Sequence, residues 1–248
     1  PDTMVYPMCL SLPMGWSHSA YLAQQVHEHI LASIPGFDST SAITRGSDPR
    51  VDRPRHLTYL DDLILLGPAT QKTLVSDLQA RYCSAAEAAG LKVKWSKVVK
   101  PTSTGVECLG LEVHGLELTV GLHPSKLVTL RRDTQAMLFR GRASGFELAS
   151  LLGRWTWAML ARRPALAAFA SVYSFVRVAG RRRFFLWPSV LRELSCAVGL
   201  APLLFSDISS RYFHRLLATD ASSTGQGVAC AYLSQADGQR LSSVRGVR

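Results

Sequence analysis

The residues best suited to chemistry are Asp61 and Asp62, which interrupt the apolar run Leu57-Thr58-Tyr59-Leu60-Asp61-Asp62-Leu63-Ile64-Leu65-Leu66-Gly67. Adjacent carboxylates are commonplace in solvated loops. Flanked by Leu, Ile and Tyr, however, this pair is expected to be partly buried, and an ionised carboxylate there is costly unless a cation or hydrogen-bond donors compensate it. A divalent metal bound by oxygen ligands is the natural compensator. Two such ions ~4 Å apart activate an attacking hydroxyl and stabilise a leaving phosphate. Other metal or nucleophile patterns are missing. The cysteines (Cys9, Cys83, Cys108, Cys196, Cys230) show no CxxC spacing, which argues against a zinc site or a disulfide framework and fits a reducing compartment. The histidines form no HExxH, and His27 and His29 point to different sides of a helix.

The elements that must position the acids are legible around them. Two short apolar runs with carboxylates between them suggest a β-hairpin carrying the acids at its turn. Before it, Leu12-Pro13-Met14-Gly15 reads as a turn leading into a helix over 20–31, and the polar stretch 34–56 reads as a surface loop or insertion. After it, Leu74, Leu78, Tyr82, Ala85 and Ala89 mark a helix over 71–89, closed by Gly90. Strands are expected near 92–95 and 107–113. From Ser125 the pattern is helical: Ser144 and Glu147 form a capping box that starts a helix through Leu151, Leu152 and Trp155. Pro164 suits the first turn of a helix over 164–179, and another helix follows Pro188. Trp155 and Trp157 cannot share one helical face, so one is core and the other is exposed. Strands return at 216–220 and 227–233. The pattern shifts near 123 and 206.

The net charge of +10 favours an anionic partner. Between Lys126 and Arg183 twelve Lys and Arg face two acids, Asp133 and Glu147, so this one segment carries the basic character. A solvated basic face is the bland alternative. The most apolar stretch, 164–176, has 13 residues, too short for the ~20 that a helix needs to cross a membrane. With no signal peptide in evidence, an intracellular location (cytoplasm or nucleus) is expected. The chain begins at Pro1 rather than Met, so the natural N-terminus is expected upstream.

In their order, these segments resemble the reverse transcriptases of retroelements. Tyr59-Leu60-Asp61-Asp62 is similar to the YxDD box, and Leu12-Pro13-Met14-Gly15-Trp16-Ser17-His18-Ser19-Ala20-Tyr21 to the LPFG-x-x-x-AP segment before a palm helix. Gly90-Leu91 through Lys97 resembles the GL-x-x-x-x-x-K segment, and Glu107-Cys108-Leu109-Gly110-Leu111-Glu112-Val113 the FLG strand that grips the primer. Leu151-Leu152-Gly153-Arg154-Trp155-Thr156-Trp157 is similar to the helix after the palm in gypsy-type and DIRS-type elements, with a slight lean to the DIRS-like group from Trp16. Ala218-Thr219-Asp220-Ala221-Ser222 with Gly225 and Gly227 resembles the opening strand of a retroelement RNase H.

The resemblance implies an α+β fold. Residues 1–122 are then the C-terminal part of a polymerase palm (an antiparallel sheet backed by helices), 123–205 a helical thumb or connection, and 206–248 the first strands of an RNase H-like domain. It also implies roles. Asp61 and Asp62 ligate Mg2+ (or Mn2+), and Lys97 is a general acid or charge clamp at the leaving pyrophosphate. Gly15 lets backbone approach the incoming nucleotide or template, and Tyr59, Leu109 and Gly110 lie at the primer end. Arg154, Arg162, Arg163, Arg181, Arg182 and Arg183 contact duplex phosphates, and Asp220 is a partial RNase H site. The partners implied are an RNA template, an RNA/DNA or DNA duplex and deoxynucleoside triphosphates. The family's third palm carboxylate belongs well upstream of Pro13, and RNase H cleavage needs acids beyond Asp220, so both active sites are expected to be incomplete in this chain. The alternative of another class is a non-catalytic nucleic-acid-binding remnant of a decayed element. A further palm enzyme, such as a nucleotide cyclase, is disfavoured by the thumb-like and RNase H-like continuations.

Overall fold

In the computed structural model, residues 12–13, 15–44, 52–211 and 213–243 are described. The fold is mixed α+β with small antiparallel sheets. Backbone contacts divide it into two compact units, 1–101 with 211–248, and 102–210.

In the first unit, helix α1 (Ser19–Ala32) is followed by strands β1 (Arg55–Tyr59) and β2 (Asp62–Leu66) and helix α2 (Lys72–Ala88). Ile30 and Leu31 of α1, Ile34, Phe37 and Leu78 are buried together, and Leu63 and Leu65 of β2 pack against them. The 34–56 stretch is therefore not simply a surface loop. Ile34 and Phe37 are core residues, and Ser41 Oγ lies 3.1 Å from the buried His56 Nδ1. Burial holds the His56 imidazole below its usual pKa. Positions 45–51 of that stretch lie outside the described residues.

Helix α2 buries Val75, Leu78, Cys83 and Ala86, with Tyr82 and Ala85 packed on the same core, so Leu78, Tyr82 and Ala85 of the expected face point inward whereas Leu74 and Ala89 are exposed. It ends as its glycine requires. Gly90 adopts φ +83°, its N–H donates to Glu87 O, and Leu91 N–H donates to Ala86 O, which together make a Schellman closure. No strand forms at 92–95. That segment pairs with no neighbour, and a single 3-10 turn covers Trp95–Lys97. Further along, β9 (Arg215–Ala221) and β10 (Gln226–Tyr232) form an antiparallel ribbon, and α7 (Gln235–Ser243) follows.

The second unit holds a sheet in the order β3 (Gly105–Cys108), β4 (Leu111–His114), β5 (Thr119–Gly121), β8 (Phe205–Asp207). The single strand expected over 107–113 is thus a hairpin that turns at Leu109 and Gly110. Helix α3 (Pro124–Arg140) leads to β6 (Arg142–Ser144), which pairs with β7 (Arg183–Phe185). Helices α4 (Gly145–Met159), α5 (Ala170–Ala179) and α6 (Pro188–Leu200) complete the unit. Leu130, Leu148, Leu151, Trp155, Phe175 and Leu194 centre its core. Trp155 is fully buried and its indole N–H donates to Thr134 Oγ1 at 2.9 Å; Trp157 is 44% exposed, so the two tryptophans divide as expected.

The helix expected over 164–179 is shorter. A 3-10 stretch, Leu160–Ala168, kinks at Arg162 (φ −137°, ψ 70°) before α5 begins. The chain enters this stretch directly from α4. Pro164 there has no N–H to donate, and its ring excludes the carbonyl four residues back, so α4 cannot continue through it. The contacts group 105–121 and β8 with the helices, whereas the sequence pattern shifts near 123 and 206.

Candidate active site

Asp61 and Asp62 sit at the end of the β1–β2 hairpin. Tyr59 pairs with Asp62, which leaves Leu60 and Asp61 as a two-residue turn. Leu60 has φ +54° whereas Asp61 does not have a positive φ, the pattern of a turn whose first central position favours glycine. A leucine in this conformation is strained and must be held by its surroundings.

The holding groups come from α1. Gln24 Oε1 accepts from Leu60 N–H at 2.7 Å, and Gln24 Nε2 donates to Thr58 Oγ1 at 3.0 Å. One turn further on, His27 Nδ1 lies 2.7 Å from Leu60 O. A carbonyl can only accept, so Nδ1 carries the proton. His27 is 3% exposed, packs 5.4 Å from the Tyr82 ring, and its Nε2 has no partner among the described residues. Burial, reinforced by the negative charges of Cys83, Asp61 and Asp62, pushes the Tyr82 phenol above its usual pKa. The sequence pattern raised His27 only as a metal ligand and did not raise Gln24. Their spacing of three on the helix before the turn was the available signal.

Both aspartates are exposed, and so is Tyr59 at 56%. The expectation of partly buried acids is corrected: Leu63 and Leu65 pack on the core and α1 holds Leu60, but both carboxylates face solvent. Desolvation therefore gives no argument for a metal at this turn. Their chemistry still does. Neither carboxylate has a hydrogen bond or ion pair among the described residues. Mg2+ is commonly held by one or two carboxylates, with water and substrate phosphates completing its shell, so this donor pair fits a partial ligand set. Among the described residues no group of three or more His, Cys, Asp or Glu could hold a metal ion.

Lys97 is exposed, and no hydrogen bond or ion pair joins it to either aspartate. Gly15 has φ +95° in a turn closed by Trp16 N–H on Pro13 O, and nothing lies within 4 Å of an added Cβ. Its backbone thus requires glycine for conformation rather than for space. Asp220 is exposed on β9 opposite Gly227.

In the second unit, Leu109 (φ +48°) and Gly110 (φ +77°) form the β3–β4 turn, and Trp157 lies against Gly110. The six arginines separate into two sets. Arg154 is bound to Asp133 at 2.6 Å, and Arg183 to Glu147 at 2.7 Å. The Arg183 guanidinium and the Ser144 N–H hold the Glu147 carboxyl down to about 2. Arg162, Arg163, Arg181 and Arg182 are exposed and have no acidic partner among the described residues. Beside them, Arg142 lies over the Phe185 ring and Arg181 over Phe146, arginine–aromatic pairs that charge counting alone did not single out.

No family model matches the chain, and comparison with curated proteins and with solved structures returns no match. No helix among the described residues is long and apolar enough to cross a membrane.

Proposed function

We propose that this chain belongs to an RNA-directed DNA polymerase of a retroelement, DIRS-like or gypsy-like, and carries its catalytic hairpin, its basic helical segment and the opening of an RNase H-like domain. The observation that carries the reading is the hairpin: two adjacent carboxylates, exposed and unpaired among the described residues, at a strained two-residue turn braced by a helix. In this reading a primer 3′-hydroxyl attacks the α-phosphate of a deoxynucleoside triphosphate, and pyrophosphate leaves. Asp61 and Asp62 would hold magnesium, which would supply charge neutralisation at the phosphates and a lowered pKa for the attacking hydroxyl. Lys97 donates charge or a proton to the leaving pyrophosphate. Tyr59 supports the primer end and Gly15 the nucleotide or template, and Leu109 and Gly110 are assigned to primer contact by the resemblance alone. The unpaired arginines hold duplex phosphates without reading sequence.

The test is primer extension on an RNA template by the protein expressed from its whole reading frame. Magnesium-dependent synthesis is expected, falling at least 100-fold in Asp61→Asn with folding unchanged. Synthesis that survives Asp61→Asn refutes the metal-binding role of this turn. A non-catalytic nucleic-acid-binding protein is the second reading, favoured by four exposed arginines without an acidic partner among the described residues, which need no carboxylates to bind phosphate. Duplex binding with no synthesis from the whole reading frame decides for it.

A further inference from the structure

We infer that Gln24 and His27 are positioning residues, a two-point clamp from α1 that holds the strained Leu60 turn and with it the direction of Asp61 and Asp62. The catalytic part of this inference rests on the polymerase reading. In a two-residue hairpin turn the first central residue normally leaves its N–H and C=O to solvent. At Leu60 both are taken by side chains of one helix, the N–H by Gln24 Oε1 and the C=O by His27 Nδ1–H, each at 2.7 Å. Gln24 also reaches Thr58 Oγ1 on β1, so a single amide spans the strand and its turn. Leu60 is in the left-handed region, from which an unheld leucine relaxes. Relaxation would swing the residue that follows it, and that residue is Asp61.

His27 also reveals what the clamp is for. Its ring is 3% exposed and its Nε2 has no partner among the described residues, which makes it a poor choice for stability alone. Leucine at the same place would remove the unsatisfied nitrogen and keep the packing against Tyr82, but would leave the Leu60 carbonyl without its donor. The polar ring is explained by the bond that Nδ1 makes to the turn. A role in stability alone and a role in positioning therefore differ in whether kcat, and not only the melting temperature, responds to the substitution.

The experiment compares wild type, His27→Leu, His27→Asn and Gln24→Leu in the whole protein. The readouts are single-nucleotide primer extension and hydrogen exchange of the Leu60 amide. The Asn side-chain amide nitrogen occupies nearly the place of Nδ1, so His27→Asn retains the donor. The clamp predicts that in His27→Leu kcat falls about tenfold or more and KM for the nucleotide changes less than threefold, a loss far larger than the accompanying shift in melting temperature accounts for at the assay temperature. His27→Asn recovers most of the rate. In Gln24→Leu the Leu60 amide exchanges at least tenfold faster while the amides of the β1–β2 ladder do not. If wild type synthesises DNA and His27→Leu and Gln24→Leu keep kcat within twofold, the clamp is wrong and the polymerase reading stands. If wild type makes no DNA, the polymerase reading fails on its own, and the clamp is decided by exchange, an unchanged Leu60 amide in Gln24→Leu overturning it.

Discussion

At single residues the chain places strain in its turns. Leu60, Leu109 and Leu118 all have positive φ, where a leucine side chain crowds its own backbone. The Leu109–Gly110 turn tests what that costs, because its two central residues respond in opposite directions. Two positive φ values in a two-residue hairpin turn favour Asn-Gly, so Leu109→Asn should raise stability by about 1 kcal/mol. Gly110→Ala should lower it by more than that. The backbone is unfavourable for a Cβ, and the added atom would sit 2.7 Å from Trp157 Nε1. Denaturant unfolding of the two variants checks both signs, and a Leu109→Asn variant less stable than wild type would show that packing of the leucine outweighs its backbone strain. Leu60 is different, since its strain is held by two side chains of α1 rather than left to the turn itself.

Among the elements, α4 shows what a local rule predicts. Ser144 Oγ accepts from Glu147 N–H at 3.2 Å, and Glu147 Oε2 accepts from Ser144 N–H at 2.8 Å. Ser144→Ala should cost about 1 kcal/mol. Glu147 does a second task, because its carboxylate also binds Arg183 and Arg140 and so ties β7 and α3 to the start of α4. With its pKa lowered from 4.5 to about 2, it contributes stability that is complete above pH 4.5 and is lost as pH falls towards 2. Thermal unfolding of Glu147→Gln should therefore differ most from wild type at neutral pH, the gap closing below pH 4.5. A gap that widens in acid would contradict the assigned partners. The capping box was legible because all its parts lie within four residues. The start of α5 was not. Its first N–H groups, Ser171 and Val172, donate to Glu193 of α6 at 2.8 and 2.9 Å, a cap supplied from another helix. Those bonds outweigh burial and hold the Glu193 carboxyl below its usual pKa. Burial of the aspartates was misread for a similar reason: apolar neighbours in sequence do not say whether a turn stays under the helices that cover its strands. The hairpin itself was legible, since its strands and acids are contiguous, whereas Gln24 and His27 lie more than 30 residues before the turn they hold.

For the molecule as a whole, the relevant quantity is how much of its +10 charge is available to a polyanion. Counting residues from Lys126 to Arg183 treats every arginine alike, but the geometry separates them. Arg154 and Arg183 already face carboxylates at 2.6 and 2.7 Å, so turning them to a phosphate requires giving up an existing partner. Arg162, Arg163, Arg181 and Arg182 have no carboxylate to leave among the described residues, although Arg181 also lies over the Phe146 ring. Each phosphate contact made by a free cation releases condensed counterions, and for duplex DNA the logarithm of the binding constant falls with the logarithm of salt by roughly 0.9 per contact. Replacing all four free arginines by alanine should therefore flatten that slope by about 3 to 4, with little change in stability. Replacing Arg154 and Arg183 should change the slope by less than about 1 and lower the melting temperature, since Asp133 and Glu147 each lose their nearest cationic partner. Binding titrations of a short duplex at several salt concentrations, run beside thermal unfolding, measure both quantities. If the paired arginines change the slope as much per residue as the free ones, their ion pairs open readily on nucleic acid, and the basic surface is larger than the four.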